Sequence, residues 1–210
     1  MKYFSTLPNI VTTDNQGKSL LYKNLLVRTQ LIPQLANNPL IFYKYAIQDG
    51  ETPEIIADKY YGDSFRYWMV LYGNSNILDP QWNWPLSSKE FTLYLENKYA
   101  EAANGSSNVL SYTQSTAHHY EKIISTIDGT TNTTAVKNIE IDRNTFLNTQ
   151  FFNETQTFSD GSTVTYTISK KEVSIYDYEV NTNEAKRNIN IINNAYATAL
   201  ETQFQSLVNS

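Results

Sequence analysis

Residues 45–84 read YAIQDGETPEIIADKYYGDSFRYWMVLYGNSNILDPQWNW, and this stretch is the densest part of the chain in large rings and turn residues. It holds all three tryptophans of the protein and three of its seven glycines. Glycine and proline mark turns and helix ends, whereas large rings supply area to bury. The pattern predicts a small folded module with a specific surface, built from a strand, two short helices and an aromatic-rich loop.

The first half of this module carries the signals of a strand followed by a capped helix. The segment 40–47 alternates and is rich in Tyr, Phe and Ile, which predicts a strand. Gly50 supplies a turn, and Thr52 is the expected N-cap of a helix that starts at Pro53. Gly62 is expected to end this helix in the left-handed conformation.

A second short helix is predicted directly after the first. Ser64 is its expected cap, and Gly73 is expected to close it. The residues expected to share its core-facing side are Phe65, Trp68, Met69 and Tyr72.

The composition excludes several classes of function. A net charge of −5 without a run of lysine or arginine argues against nucleic acid as a partner. The absence of cysteine excludes disulfides, thiol catalysis and thiolate metal sites. The first residues lack the apolar core of a signal peptide, and no stretch approaches the roughly 18 apolar residues of a membrane helix. We therefore expect a protein made in the cytosol, without a membrane partner.

Prolines divide the chain unevenly, since all six lie within the first 85 residues. Residues 1–43 combine polar stretches and proline breaks with one apolar patch at 20–27, which could form two helical turns. Two turns are too few to be stable alone in water. We interpret residues 1–43 as an N-terminal docking arm that is disordered in the isolated protein and becomes ordered on a partner. The alternative is an N-terminus packed on its own domain.

After the module, the pattern changes from helical to alternating. Ser88 is the expected cap of a helix that runs to Gly105, and strands are expected over 119–127, 136–141 and 173–180. The apolar face of that helix is expected to consist of Phe91, Tyr94, Leu95, Tyr99 and Ala102.

A hairpin and a final helix complete the predicted elements. The segments 155–158 and 163–168 flank Asp160-Gly161, and Asp-Gly supplies the residues of a tight hairpin turn. Asn194 is expected to cap an amphipathic helix whose stripe consists of Tyr196, Leu200, Phe204 and Leu207. The sequence thus predicts an α+β protein in three regions: the arm at 1–43, the module with an extra helix at 44–104, and a β-rich region with a terminal helix at 105–210.

Catalytic chemistry is hard to find in this sequence. The only histidines are His118 and His119, and adjacent residues of a strand point to opposite faces, so the pair is not expected to share a metal ion. Motifs of serine hydrolases, zinc proteases and phosphate-binding loops are missing. Carboxylates such as Glu51, Asp58 and Asp63 could in principle form a glycosidase pair. Structural roles explain Asp58 and Asp63 better, and we predict no enzyme, no cofactor and no metal.

The tryptophans favour packing and protein contact. Trp68 is expected in the core of the module. Together with Tyr72, Trp82 and Trp84 could stack on sugar rings, but large amphipathic rings are also the residues that protein interfaces favour. We favour packing or a protein contact, because nothing else in the sequence directs the chain to a cell wall.

The module resembles LysM, through Tyr45-x-Ile47-x-x-Gly50-Glu51-Thr52, Ile56-Ala57 and Tyr61-Gly62-Asp63. The variant to which it is similar occurs in tail and baseplate proteins of contractile phages. The recurring pattern of that variant is matched by Tyr61-Gly62-Asp63, Tyr67-Trp68, Asn74 or Asn76, and Asp79-Pro80. The resemblance implies a strand–helix–helix module, flanked here by an extended arm and a β-rich C-terminal region.

A second motif extends the resemblance over nearly the full length. Asp177-Tyr178-Glu179 and the segment Asn183-Glu184-Ala185-Lys186-Arg187-Asn188-Ile189-Asn190-Ile191-Ile192 resemble the C-terminal signature of the baseplate wedge subunit of myoviruses. The resemblance implies a non-enzymatic virion protein of the tail baseplate, assembled in the host cytoplasm. Such a subunit clamps neighbouring wedges into a six-fold ring, with other wedge proteins as its partners through the arm and the C-terminal part.

The chain departs from ordinary LysM modules in two places. Where those modules end in a Pro-Gly-x-x-Leu-x-Ile strand, this chain reads Trp84-Pro85-Leu86-Ser87-Ser88, so the second strand comes from further along or is absent. Glu51 stands where Asp is usual. The groove that binds N-acetylglucosamine in wall-binding relatives corresponds to the loops at 50–53 and 77–82, and its changed edge argues against peptidoglycan here.

The candidate binding residues form a protein interface or a vestigial LysM groove. They are Gly50, Glu51, Thr52, Pro53, Leu78, Asp79, Pro80, Trp82, Trp84, Glu184, Lys186 and Arg187. The alternative function is a LysM-type peptidoglycan-binding module that serves a cell-wall hydrolase.

Overall fold

The computed structural model describes residues 2–27, 31, 38–74 and 83–209, and within these ranges the protein has the predicted α+β fold. The helices are α1 (Tyr3–Thr6), α2 (Pro53–Tyr61), α3 (Tyr67–Tyr72), α4 (Ser88–Tyr99), α5 (Val109–Ser115), α6 (Arg143–Asn148), α7 (Ile175–Glu184) and α8 (Asn194–Asn209). The strands are β1 (Asn9–Thr13), β2 (Ser19–Lys23), β3 (Phe42–Ala46), β4 (Ala117–Asp128), β5 (Thr133–Ile141), β6 (Phe152–Thr157), β7 (Thr163–Ser174) and β8 (Asn188–Ile192).

The chain divides into two compact units. Unit 1 consists of Met1–Glu90 with Asn183–Ser210, and unit 2 consists of Phe91–Thr182. This division differs from the three predicted regions, because β8 near the C-terminus pairs with β3 and thereby joins the N-terminal unit. Unit 2 is therefore an insertion within unit 1 along the chain.

In unit 1, the strand that pairs with β3 is β8, near the C-terminus. It runs antiparallel to β3, with Phe42 opposite Ile192 and Ala46 opposite Asn188. The side chain of Asn74 extends this pairing, because its oxygen accepts from the Asn190 N–H and its amide donates to the Asn190 carbonyl, both at 2.8 Å. Gly73 permits the approach, since a Cβ there would lie 2.5 Å from the Asn190 carbonyl oxygen.

The core of unit 1 lies between this sheet and the helices α2, α3 and α8. Its fully buried members include Ile56, Trp68, Met69 and Ile191. The Trp68 ring packs against Phe204 of α8, with 5.1 Å between ring centroids. Burial of each aliphatic side chain of this kind contributes about 1.5–3 kcal/mol. Trp68 is thus a core residue, as predicted.

The predicted start and end of α2 are confirmed, as is the predicted end of α3 at Gly73, whereas the predicted start of α3 is not. The Thr52 hydroxyl accepts from the Ile55 N–H, and Gly62 has φ +69°. Asp63, not Ser64, caps the 3₁₀ turn Ser64–Arg66 that precedes α3, because its carboxylate accepts from the Phe65 N–H. Phe65 consequently lies on that turn and is 47% exposed, outside the core.

The predicted N-terminal arm is partly packed on its own unit. Leu7 is buried in the unit 1 core, and the Tyr3 ring lies 5.1 Å from that of Phe204. The expectation of an arm without such contacts is therefore wrong for these residues. The two helical turns suggested for the 20–27 patch are also wrong, since β2 forms there and pairs with β1 as a hairpin.

Unit 2 contains a small helical cluster and a four-stranded antiparallel sheet. Leu95, Ala103 and Val109 are the buried residues of the cluster. The sheet has the strand order β5-β4-β7-β6, and its β6–β7 hairpin at Asp160-Gly161 is the one that the sequence predicts. Helix α6 packs on this sheet, where the rings of Phe146 and Tyr120 lie 4.6 Å apart.

Three further predictions need correction. The strand predicted over 173–180 is wrong beyond Ser174, because the Ser174 hydroxyl accepts from the Asp177 N–H and starts α7 as an N-cap does. Helices α4 and α8 are capped one residue earlier than expected, by Ser87 and Asn193. The stripe of α8 also shifts, since its buried residues are Ala197, Phe204 and Val208, while Tyr196 and Leu207 are exposed.

Candidate functional site

The turn that precedes α2 is built around the buried carboxylate of Glu51. This carboxylate accepts hydrogen bonds from the Tyr45 hydroxyl, the Gln48 N–H and the Lys59 ammonium. The Glu51 side chain is only 5% exposed. Because this carboxylate is buried and accepts from three donors, Glu51 holds the turn in place, and little of it faces a ligand.

These contacts shift the titration of the groups involved. Burial by itself raises the pKa of Glu51, but the hydrogen bonds from Lys59, Gln48 and Tyr45 outweigh it, and the pKa lies below its ordinary value. Burial, together with the neighbouring Glu51 carboxylate, raises the pKa of Tyr45 to about 12. Glu51 is therefore charged and Tyr45 neutral at pH 7.

The other predicted residues of this turn also have structural roles. Gly50 has φ +74°, which favours glycine, while Thr52 caps α2 and Pro53 is its first residue. The indole of Trp84 is half-buried and donates through Nε1 to the Glu51 carbonyl at 2.7 Å. Trp84 thus packs against the turn, which agrees with the packing interpretation of this ring.

The structure brings the C-terminal motif next to the same turn. Arg187 donates to the Glu184 carboxylate at 2.7 Å and to the Ile47 carbonyl at 3.3 Å, and its guanidinium lies 3.8 Å from the Asp49 carboxylate. The side-chain oxygen of Asn183 accepts from the Leu86 N–H at 2.7 Å, and its side-chain N–H donates to the Leu86 carbonyl at 3.1 Å. The motif therefore joins α7, β8 and the loop after Trp84.

Part of the predicted site cannot be placed. Leu78, Asp79, Pro80 and Trp82 lie outside the described residues. Lys186 is half-buried in the turn between α7 and β8. Of the predicted residues that the structure describes, those at 50–53, Trp84, Glu184 and Arg187 do come together.

A second buried carboxylate, in unit 2, was missed by the sequence analysis. Glu179 accepts from the Tyr99 hydroxyl, the Lys98 ammonium and the Tyr94 hydroxyl. Burial raises its pKa, but the Lys98 and Tyr99 hydrogen bonds outweigh burial and hold the pKa below its ordinary value. The signal was its place in the Asp177-Tyr178-Glu179 motif, where an acidic residue stands between apolar neighbours.

The histidine pair is placed differently from the prediction. A β-bulge between Ala117 and His119 shifts the register, and the Nδ1 atoms of His118 and His119 lie 2.9 Å apart instead of on opposite faces. His118 also stacks on Tyr178, with 3.7 Å between centroids. Within the described ranges, no group of three or more His, Cys, Asp or Glu side chains is arranged to hold a metal ion.

Asp63 has the structural role that its position predicts, as the cap of a 3₁₀ turn. Across the residues that the structure covers, none of the helices has the length and apolar character needed to span a membrane.

The sequence also matches a known protein family. Residues 21–206 match the model of the phage family described as Base plate wedge protein 53. No match was found among curated proteins. The matched region covers most of the chain, including residues 21–23 of β2, the Gly50 turn and the C-terminal motif. The chain therefore belongs to the phage family Base plate wedge protein 53, a family of structural baseplate proteins and not of enzymes.

Proposed function

We propose that the protein clamps adjacent wedges into a six-fold ring during assembly of the contractile tail, and that the β1–β2 hairpin is one of its docking surfaces. The observation that carries the proposal is the exposure of apolar side chains on this hairpin. Val11 and Leu21 are directly opposed across it and are 69% and 65% exposed.

A hairpin of this kind has a physical reason to bind. An isolated two-stranded hairpin is only marginally stable in water, and both of its outer edges have unpaired backbone groups. Leu25 and Leu26, directly after β2, are 64% and 88% exposed. A wedge protein that covers these side chains would bury area that the chain itself leaves in water.

We further propose that unit 1 is a LysM-like module adapted for protein contact. Its order of β3, α2, α3 and finally β8 supports this, with unit 2 inserted before the second strand. Glu51 and Trp84 use their polar groups inside the turn, which favours a scaffold over a sugar site. Leu78, Asp79, Pro80, Trp82 and Lys186 remain candidate contacts with wedge proteins.

The proposal is tested by assembly with purified wedge proteins of the same phage, followed by sedimentation velocity and negative-stain microscopy. Wild-type protein is expected to convert separate wedges into rings. Val11→Thr with Leu21→Thr places β-branched, strand-compatible side chains at both positions but removes apolar area, and it is expected to reduce ring yield about tenfold or more.

The matched control is Val136→Thr, which makes the same change at a 61% exposed strand position of unit 2. Rings that form equally well with the hairpin variant would contradict a docking role of the hairpin. Rings that form without the protein would contradict the clamp. A parallel pull-down on insoluble peptidoglycan separates the alternative, because strong retention would support a wall-binding module.

A further inference from the structure

Two lysines face each other on the side of the unit 2 sheet that α6 covers. Lys122 of β4 is the register partner of Lys170 of β7, and like charges in direct opposition destabilise a sheet. Lys170 is tied to α6, because its ammonium donates to the Phe146 carbonyl at 2.7 Å and lies 4.8 Å from the Phe146 ring centre. Lys122 forms no ion pair with any residue that the structure describes.

Lys122 lines a pocket of about 460 Å³ between β4, β7 and α6. Asn148 and Thr149 also line it, but their side chains donate to helix carbonyls. The side chains of Asn144 and Gln150, like that of Lys122, form no hydrogen bond within the described part of the chain. The lining includes no acidic side chain. An ammonium beside two amides is suited to a carboxylate.

Exposed rings lie on the same face of the sheet. Phe152 of β6 is the register partner of Ile168, which lines the pocket, and it is 43% exposed. Tyr166 precedes Ile168 by two residues on β7, so it shares that face, and it is 40% exposed. Leu147 of α6 is 59% exposed. This face of the sheet therefore presents a charged group and apolar side chains next to each other.

We infer that this surface, the α6 pocket (Lys122, Asn144, Gln150 and Ile168) with the rings of Phe152 and Tyr166, docks an acidic segment of a baseplate protein. A glutamate or aspartate of that segment would pair with Lys122, and its apolar neighbours would cover the two rings. The carboxylate also screens Lys122 from Lys170. Charge complementarity at the pocket selects this occupant, because a basic residue there would add a third positive charge to the Lys122–Lys170 pair. Glu154 and Glu172 share this face of the sheet but are not part of the pocket lining. The inference rests on the proposed function, which supplies the class of partner.

The test uses the full chain, labelled with ¹⁵N, and two synthetic peptides with blocked ends. The probe is Leu-Glu-Phe-Glu-Leu, and the comparison peptide has Gln in place of both Glu. The acidic peptide is expected to shift the amide signals of Lys122, Asn144 and Gln150, and to bind about tenfold more tightly than the Gln peptide because its hydrogen bonds are charge-assisted. Lys122→Gln is expected to abolish this preference, with a thermal midpoint equal to or above that of wild type.

Lys171→Gln is the matched control, because Lys171 lies next to Lys170 on β7 and points to the opposite face. It is expected to keep the preference for the acidic peptide. Equal affinity for both peptides, signal shifts elsewhere, or the same loss in Lys171→Gln would overturn the inference. Concentration-dependent shifts of the pocket signals without peptide would also overturn it, in favour of a second copy of the chain.

Ring assembly separates failure of this inference from failure of the clamp. If Lys122→Gln supports ring formation as well as wild type while the hairpin variant does not, the pocket is not a docking site and the clamp stands. If Lys122→Gln lowers ring yield while Lys171→Gln does not, the pocket takes part in assembly.

Discussion

Unit 1 and the sheet of unit 2 contain similar isoleucine-rich strands but bury them very differently. In β8 of unit 1, Ile189, Ile191 and Ile192 are at most 3% exposed. In the unit 2 sheet, whose four strands are all described, only Val173 is buried, and Ile127 is 39% exposed. Hydrophobic stabilisation follows the area removed from water. Burial therefore stabilises unit 1, whereas much of the apolar area of the unit 2 sheet remains in water.

The two regions also differ in the contacts that hold them together. Unit 1 is closed by long-range contacts such as the β3–β8 pairing and the Asn74 bridge. The sheet of unit 2 is held mainly by its backbone ladder and by α6 on one face.

The largest difference in stability is expected when the same isoleucine-to-alanine substitution is made once in unit 1 and once in the unit 2 sheet. Ile191→Ala, in the unit 1 core, is expected to lower the free energy of unfolding by about 2–5 kcal/mol through lost burial and a cavity. Ile127→Ala, at the exposed end of β4, is expected to cost less than about 1 kcal/mol. Urea denaturation measures both. Similar losses at the two positions would show that the sheet has a core of its own.

A smaller loss of stability is expected when the Asn74 bridge of unit 1 is removed. Asn74→Ala leaves the Asn190 N–H and carbonyl without their partner, and we expect a loss of about 1–3 kcal/mol in the free energy of unfolding. The control is Asn138→Ala on the exposed strand β5, which we expect to change it by no more than about 0.5 kcal/mol. An unchanged midpoint in Asn74→Ala would show that the β3–β8 pair does not depend on this bridge.

The smallest effect is expected in the pH dependence of stability. Each unit contains a buried glutamate that accepts hydrogen bonds from three donors. The pKa values of Glu51 and Glu179 lie below the ordinary value of 4.5 in the folded chain. Their contribution to stability is therefore complete above about pH 4.5 and is lost as the pH falls through the folded pKa.

Urea midpoints measured from pH 7 down to pH 3 check this expectation. Glu51→Gln and Glu179→Gln should each flatten the decline below pH 4.5, whereas Glu154→Gln on the exposed strand β6 should not. A decline as steep in both buried-site variants as in wild type would place the acid sensitivity in other groups.

Local signals predicted the elements that depend on a few neighbouring residues. Thr52-Pro53 and Gly62 define α2 because a cap, a fixed φ and a left-handed glycine act within the helix ends themselves. The Asp160-Gly161 hairpin follows from turn geometry in the same way. The strand predicted over 173–180 failed because its alternation also fits a helix, and the Ser174 cap decided between them.

The candidate site was only partly predictable for a similar reason. The residues at 50–53 were singled out by a motif, but their burial depends on Lys59, Tyr45 and Trp84 meeting at Glu51. The contact between His118 and His119 depends on a bulge, which adds one residue to a strand and reverses the expected faces.

The amino-acid sequence by itself determined the α+β class, the first helix of the module, the hairpin of unit 2 and the family. Only the tertiary structure decided which strand pairs with β3, where unit 2 is inserted and which carboxylates are buried. The physical reason is the distance along the chain over which each interaction acts. Caps and turns act over a few residues, whereas the β3–β8 pairing, the Asn74 bridge and the glutamate networks join residues that are far apart in the chain and form only when the core brings them together.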